Sequence, residues 1–213
     1  MKILRRTHAM MMRLDRALER ATAPLRGYIA DRVDDQKFGE GMPFESIDSP
    51  AEQQLLADVK ELSSKAGIAP PKLALRWAGG DMEAGYRKIG VCFASMIGHN
   101  NDSLKSLAAH EIGHVKHGDR INDKGRVHKH GSKWRHLMEL RADRTAFQIH
   151  GADKMEALWV KVRDKLERYG DAEDRKEIDE GSESHPSLNA RIEKARNWTR
   201  RENKQKNLED QGR

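Results

Sequence analysis

The sequence predicts an α+β fold, predominantly helical, with a small β-sheet in the middle of the chain. Three observations carry this. Apolar residues recur at helical spacing, between clear start and stop residues, both before residue 67 and after residue 103. The two runs with strand character, residues 72–77 and 89–96, lie between those helical stretches. The length of 213 residues suits one domain with appendages. We expect a basic helical N-terminal extension and linker at 1–48, one folded domain at 49–196 and a charged C-terminal tail at 197–213.

Within residues 10–33, Leu14, Leu18, Leu25, Ile29 and Val33 form one apolar stripe, which Pro24 and Gly27 interrupt. The Gly, Pro, Asp and Ser content of residues 34–49 reads as a linker. The next helix has Ser49 as N-cap, Pro50 at its first position, Glu52 for a capping box and Gly67 as its stop. Residues 72–77 alternate as a strand does, a turn follows at Gly79-Gly80, and residues 89–96 read as a second strand. Helical patterning returns from Ser103 and stops at Gly118. A polar, basic loop is expected over 119–132, then helices over 134–150 and 153–169, a charged loop over 170–184, and a last helix led by Pro186.

Charged residues make up 35% of the chain against 37% hydrophobic, and the formal net charge is +6. Residues 1–33 hold eight Lys or Arg against three Asp or Glu, and residues 191–213 hold eight against four. The segment between is therefore mildly acidic, and the basicity belongs to the two ends. The longest stretch without Asp, Glu, Lys or Arg spans residues 89–101, short of the ~18 apolar residues of a membrane-spanning helix. The first 35 residues show no apolar core of an export signal, so we expect a cytoplasmic protein, with a peripheral position at a membrane surface as the variant. Cys92 is the single cysteine and reads as a small buried apolar residue. Any bound metal must be held by His and carboxylates.

His110-Glu111-Ile112-Gly113-His114 fits the pattern H-E-x-x-H inside an expected helix. At ~100° per residue, positions i and i+4 lie ~40° apart about the axis, so both imidazoles reach one ion. Glu111 flanks that ion without being forced to bind it. A catalytic zinc normally takes three protein ligands and keeps one position open. Downstream, Glu139 and Asp143 offer two carboxylates at i and i+4 on a second helix. His117 reads as a basic residue in a helix's last turn, and His128, His130 and His136 as part of the basic loop region.

Four segments in order resemble the gluzincin metallopeptidases of peptidase family 48, the family of HtpX and the CAAX prenyl proteases. They are Ala66 to Lys72, His110 to Asp119, Glu139 to Asp143, and His185-Pro186-Ser187 with Arg191-Ile192, together covering about residues 49–196. The resemblance implies a zincin-like core with one Zn²⁺ per chain between two helices, held by His110, His114 and Glu139. It implies Glu111 as general base toward a metal-activated water attacking a peptide bond, hence a zinc endopeptidase acting on a protein or peptide. It also implies that Asp143 orients a ligand histidine, His110 in our reading. His185 would stabilise the transition-state oxyanion, with Arg191 supporting it.

Ile89, Gly90, Val91, Cys92 and Phe93 are nominated as the edge strand on which an extended substrate pairs. The chain departs from the family at Met82 to Tyr86, where members often carry an Asn-Ala-Phe-like element, and in lacking the membrane segments of HtpX and the prenyl proteases. The alternative is a nucleic-acid or anionic-surface binding protein with a structural or degenerate zinc site. No helix-turn-helix, zinc-finger or aromatic RNA-binding signature supports it. The basic ends suit an acidic partner or an anionic surface better than nucleic acid.

Overall fold

The computed structural model describes residues 42–43, 49–76, 82–85, 87–119 and 132–211. The expected helix at 10–33, most of the linker after it and nearly all of the loop at 119–132 lie outside the described residues, as does the separate N-terminal unit to which the first two were assigned. The elements in order are β1 (Met42–Pro43), α1 (Pro50–Ala66), β2 (Lys72–Arg76), β3 (Met82–Ala84) and β4 (Lys88–Cys92), followed by the helices α2 (Phe93–Gly98), α3 (Asn101–His117), α4 (Ser132–His150), α5 (Ala152–Tyr169), α6 (Ala172–Asp179) and α7 (Leu188–Gln211). The chain is thus predominantly helical with a small sheet.

Helix α1 begins with the Ser49 side chain accepting the Glu52 N–H, Pro50 follows the cap, and Gly67 ends the helix at φ 71°; of the expected capping box this is the half that is seen, and Glu52 Oε2 is buried without a partner among the described residues. Its Leu55, Val59 and Leu62 are buried at successive turns and pack into the core. The sheet order is β1-β2-β4-β3. β2 and β4 run parallel, with Leu73 opposite Ile89 and Leu75 opposite Val91, and all four are buried. β3 pairs antiparallel with β4, and β1 with β2.

This order corrects the proposed substrate edge. Ile89, Gly90, Val91 and Cys92 lie in β4, whose two sides are taken by β2 and β3, so its main chain has no free side for a peptide. Phe93 is not in a strand at all but opens α2. A short apolar run fits a buried strand and a buried helix equally, and Ala94 and Met96 favour the helix once the strand leaves the sheet. Among the described residues the edge beside α3 is β3, and Cys92 is half-buried rather than buried.

The segment expected as a charged loop at 170–184 contains α6, started by an Asp171–Asp174 capping box. Only Ile178 of that helix is buried, so no apolar periodicity marks it in the sequence. Helix α3 is packed against α1, α4, α5 and the sheet. Leu104, Leu107, Ala108 and Ile112 of α3 join Ala146 and Phe147 of α4, Met155 and Leu158 of α5, and Ile192 and Ala195 of α7 in one continuous core. Residues 201–210 of α7 are exposed throughout, beyond the core. Among the described residues no helix is long and apolar enough to cross a membrane.

Candidate metal centre

Helix α3 is fixed at its start by Asn100, whose side chain accepts the Ser103 N–H at 3.0 Å, and at its end by Gly118 in the left-handed region. The motif histidines are deep in its buried half. Helix α4 crosses α3 at Gly113, where a β-carbon would stand 2.7 Å from both Cα and O of Ala142. This close approach brings Glu139 and Asp143, on either side of Ala142, against His110 and His114.

Nε2 of His110 lies 3.1 Å from Nε2 of His114 and 3.1 Å from a Glu139 carboxylate oxygen, and His114 Nε2 lies 3.3 Å from the other Glu139 oxygen. The opposite ring nitrogens are both occupied. His110 Nδ1 is 2.9 Å from Asp143 Oδ1, and His114 Nδ1 is 2.9 Å from Asp119 Oδ2. In the tautomer that donates each Nδ1–H to its carboxylate, the one a metal ion would use, both Nε2 lone pairs would face each other and an anionic oxygen. Two imidazole nitrogens and a carboxylate converging in a buried place form a group that could hold a metal ion. Tetrahedral zinc with bonds of 2.0–2.1 Å separates its ligand atoms by ~3.3 Å, close to these pairwise distances, with the two histidines facing different Glu139 oxygens. Among the described residues, His110, His114 and Glu139 are the His, Cys and acidic side chains grouped closely enough to hold a metal ion.

The electrostatics draw positive charge to the same place. Burial alone would lower both imidazole pKa values, but the hydrogen bonds of His110 to Asp143 and Glu139, and of His114 to Glu139, outweigh it and raise them. Burial would raise Glu139, yet its hydrogen bonds to the two histidines hold it well below the ordinary carboxylate range. Burial would also raise Asp143, but the charge of Arg191 and the bond to His110 bring it down to about 2. The pocket holds ionised carboxylates and attracts positive charge.

The supporting groups are equally specific. Arg191 donates from Nε and Nη2 to the two Asp143 oxygens at 2.8 and 2.7 Å, and its guanidinium lies 3.6 Å from the Trp159 ring centre. Trp159 in turn meets the His110 ring edge-on at 5.7 Å. Arg191 therefore braces Asp143 and His110, not His185 as the sequence reading had it. Its Nη2 is 3.3 Å from His110 Nδ1, but the shorter contact with ionised Asp143 favours an Nδ1–H on the ring that donates to that carboxylate. Arg141 donates to the second oxygen of Asp119.

Glu111 is buried and stands outside the ligand group. Its carboxylate accepts the Ala84 N–H of β3 at 2.7 Å, and burial raises its pKa. His185 is on the loop before α7, its Nε2 3.8 Å from Glu139 and its ring half exposed, with burial lowering its pKa. His117 turns from the metal group to Thr145 Oγ1, 3.0 Å away. His136 is not in a solvated loop: it is in α4, with Nε2 2.9 Å from the Ser182 carbonyl oxygen. His128 and His130 lie outside the described residues. Sequence reading missed Asp119 and Trp159. Asp119 had a signal, directly following the helix-ending Gly118, whereas nothing local marks Trp159.

No family model and no solved structure matches the chain. Over 77 residues it is 36% identical to Protease HtpX of Acinetobacter baylyi (strain ATCC 33305 / BD413 / ADP1), covering 33% of this chain and 26% of that protein. Protease HtpX of Acinetobacter baumannii (strain AYE) gives the same identity and shares. The chain spans about a quarter of the length of these curated relatives. One third of the chain is thus similar to proteins named as proteases, and its described part carries a His, His and Glu group suited to a metal ion.

Proposed function

We propose that this chain is a zinc-dependent endopeptidase of the H-E-x-x-H gluzincin type with a zincin-like core. The observation that carries the reading is the convergence of three candidate ligands, from His110, His114 and Glu139, beside a buried carboxylate that does not join them. A purely structural zinc site has no use for Glu111. Zinc held there supplies Lewis-acid polarisation of a carbonyl and an acidified water near neutral pH.

The chain's own groups then have distinct tasks. Asp143 and Asp119 fix the ring orientation and tautomer of the two histidines. Glu111 takes the proton of the attacking water and passes it to the leaving amine. The Ala84 N–H holds Glu111 in register with β3, the strand along which an extended substrate would pair. His185 donates from Nε2 to the oxygen that gains negative charge. We place the enzyme in the cytoplasm, acting on protein or peptide substrates. The basic segments at both ends would dock it on an acidic partner or surface.

Zinc analysis of the purified chain, combined with peptide-library cleavage by wild type and Glu111→Gln, tests this. We expect about one zinc per chain in both proteins and cleavage by the wild type alone. A wild type that binds no zinc, or a Glu111→Gln protein that still cleaves, would overturn the mechanism. Salt-sensitive nucleic-acid binding that survives chelation would favour the binding-protein alternative.

A further inference from the structure

The loop carrying His185 is held so that little of it is left to move. Gly181 has φ +77°, and a β-carbon there would stand 2.6 Å from the His185 carbonyl oxygen and 2.7 Å from Ser187 N. The Ser182 N–H donates to that same carbonyl at 2.9 Å. The Ser182 carbonyl is within 2.9 Å of His136 Nε2, one turn before Glu139 on α4. The backbone of His185 is thereby tied to the helix that supplies Glu139, leaving the orientation and tautomer of the ring to be set.

Two contacts bear on the ring. Ser184 Oγ is 2.9 Å from Nδ1, and Glu139 Oε2 is 3.8 Å from Nε2. A lone pair on Nε2 would face an anionic oxygen, whereas a proton there is attracted to it. Nδ1 is then the acceptor and Ser184 the donor. The remaining hydroxyls are compatible with that direction: the His185 N–H donates to Ser182 Oγ at 3.1 Å, and Ser182 Oγ lies 3.3 Å from Ser184 Oγ. In that arrangement a closed circuit runs from the backbone N–H through both hydroxyls to the ring, each oxygen accepting one hydrogen and donating one.

We propose that Ser184 is a positioning residue that sets the tautomer of His185, so that the ring presents Nε2–H to the metal cleft. This rests on the peptidase reading and deepens it, since oxyanion stabilisation needs a hydrogen on that atom. The test uses the full-length, zinc-loaded chain, as wild type, Ser184→Ala and Ser184→Thr, with ¹⁵N-labelled histidine for NMR and with kcat and KM measured on a cleaved peptide. In the wild type, His185 should show the Nε2–H tautomer. Ser184→Ala should mix the tautomers and lower kcat about ten-fold, less than the ~10²–10³-fold cost of deleting an oxyanion donor, with KM and zinc content unchanged. Ser184→Thr, which keeps the hydroxyl, should restore both. An Nδ1–H tautomer in the wild type, or a Ser184→Ala protein whose tautomer does not change, would overturn the proposal even if turnover fell. If the wild type cleaves no peptide, the peptidase reading fails while the NMR measurement still decides the role of Ser184.

Discussion

Replacing Gly113 by Ala sets two effects of opposite sign against each other, and the structure decides between them. Gly113 is in the middle of α3, where Ala is favoured over Gly by about 1 kcal/mol. The new β-carbon, however, would stand 2.7 Å from Ala142 Cα and O, whereas ordinary contact begins at 3.4 Å. Helices α3 and α4 must separate by roughly 0.7 Å at the crossing, and overpacking of this kind costs about 1–3 kcal/mol. The net change in metal-free stability is therefore small, a loss of about 0–2 kcal/mol.

The proposed metal site is affected far more, because its candidate ligands come from both helices. The 3.1 Å gap between His110 and His114 lies within α3 and does not change. The gaps from these histidines to Glu139, 3.1 and 3.3 Å, span the two helices and widen toward ~4 Å. Ligand distances in a working site hold to about ±0.2 Å, so a shift of roughly 0.7 Å pulls Glu139 out of reach. Zinc affinity should fall by at least the ~10- to 100-fold seen when only a ligand's supporting group is lost. Chelator-competition titration measures this, with thermal melting of the metal-free protein as the stability control. A Gly113→Ala protein that binds zinc as tightly as the wild type would refute the argument that the helix crossing builds the site.

Two further outcomes follow from the groups around the site. Asp119→Ala removes the carboxylate that fixes His114 Nδ1, while Arg141, already 38% exposed, turns to solvent. Zinc affinity should drop about 10- to 100-fold with little change in melting temperature, and an unchanged affinity would reduce Asp119 to a partner of Arg141. His117 is lowered to about 4, by burial first and then by the charges of Arg141 and Lys116. Its folded pKa lies below its unfolded value near 6.5, so the unfolded chain binds the extra proton between these values and stability rises with pH from about 4 to 6.5. Chemical denaturation across that window should give a flatter profile for His117→Gln by up to one proton, and parallel profiles would remove the assignment.

What the sequence revealed, and what it concealed, follows from the range of each interaction. His110 and His114 share a side of one helix by local geometry alone, so their pairing can be read from spacing, as can the caps at Ser49 and Gly67. Strand β3 is three residues long with no alternation to detect, and the run at 89–96 is apolar throughout, so its division into β4 and α2 leaves no trace in periodicity. That ambiguity made β4 read as an edge strand, whereas it lies between β2 and β3. Arg191 and Asp143 are 48 residues apart, and their pairing appears only when α7 packs beside α4 and α5.

Gly113 joins the two scales. In the motif it occupies a position that the metal chemistry leaves free, yet in the fold it is where α4 comes closest to the histidines. The lack of a side chain there lets Ala142 approach, and that approach carries Glu139 to one side and Asp143 to the other. The local pattern therefore supplies two candidate ligands and a candidate base, and the third candidate ligand depends on a helix crossing that a single methyl group would obstruct. A sequence that kept both motif histidines and Glu139 but carried a larger residue at 113 would retain the recognisable motif while losing the geometry that makes a three-ligand site.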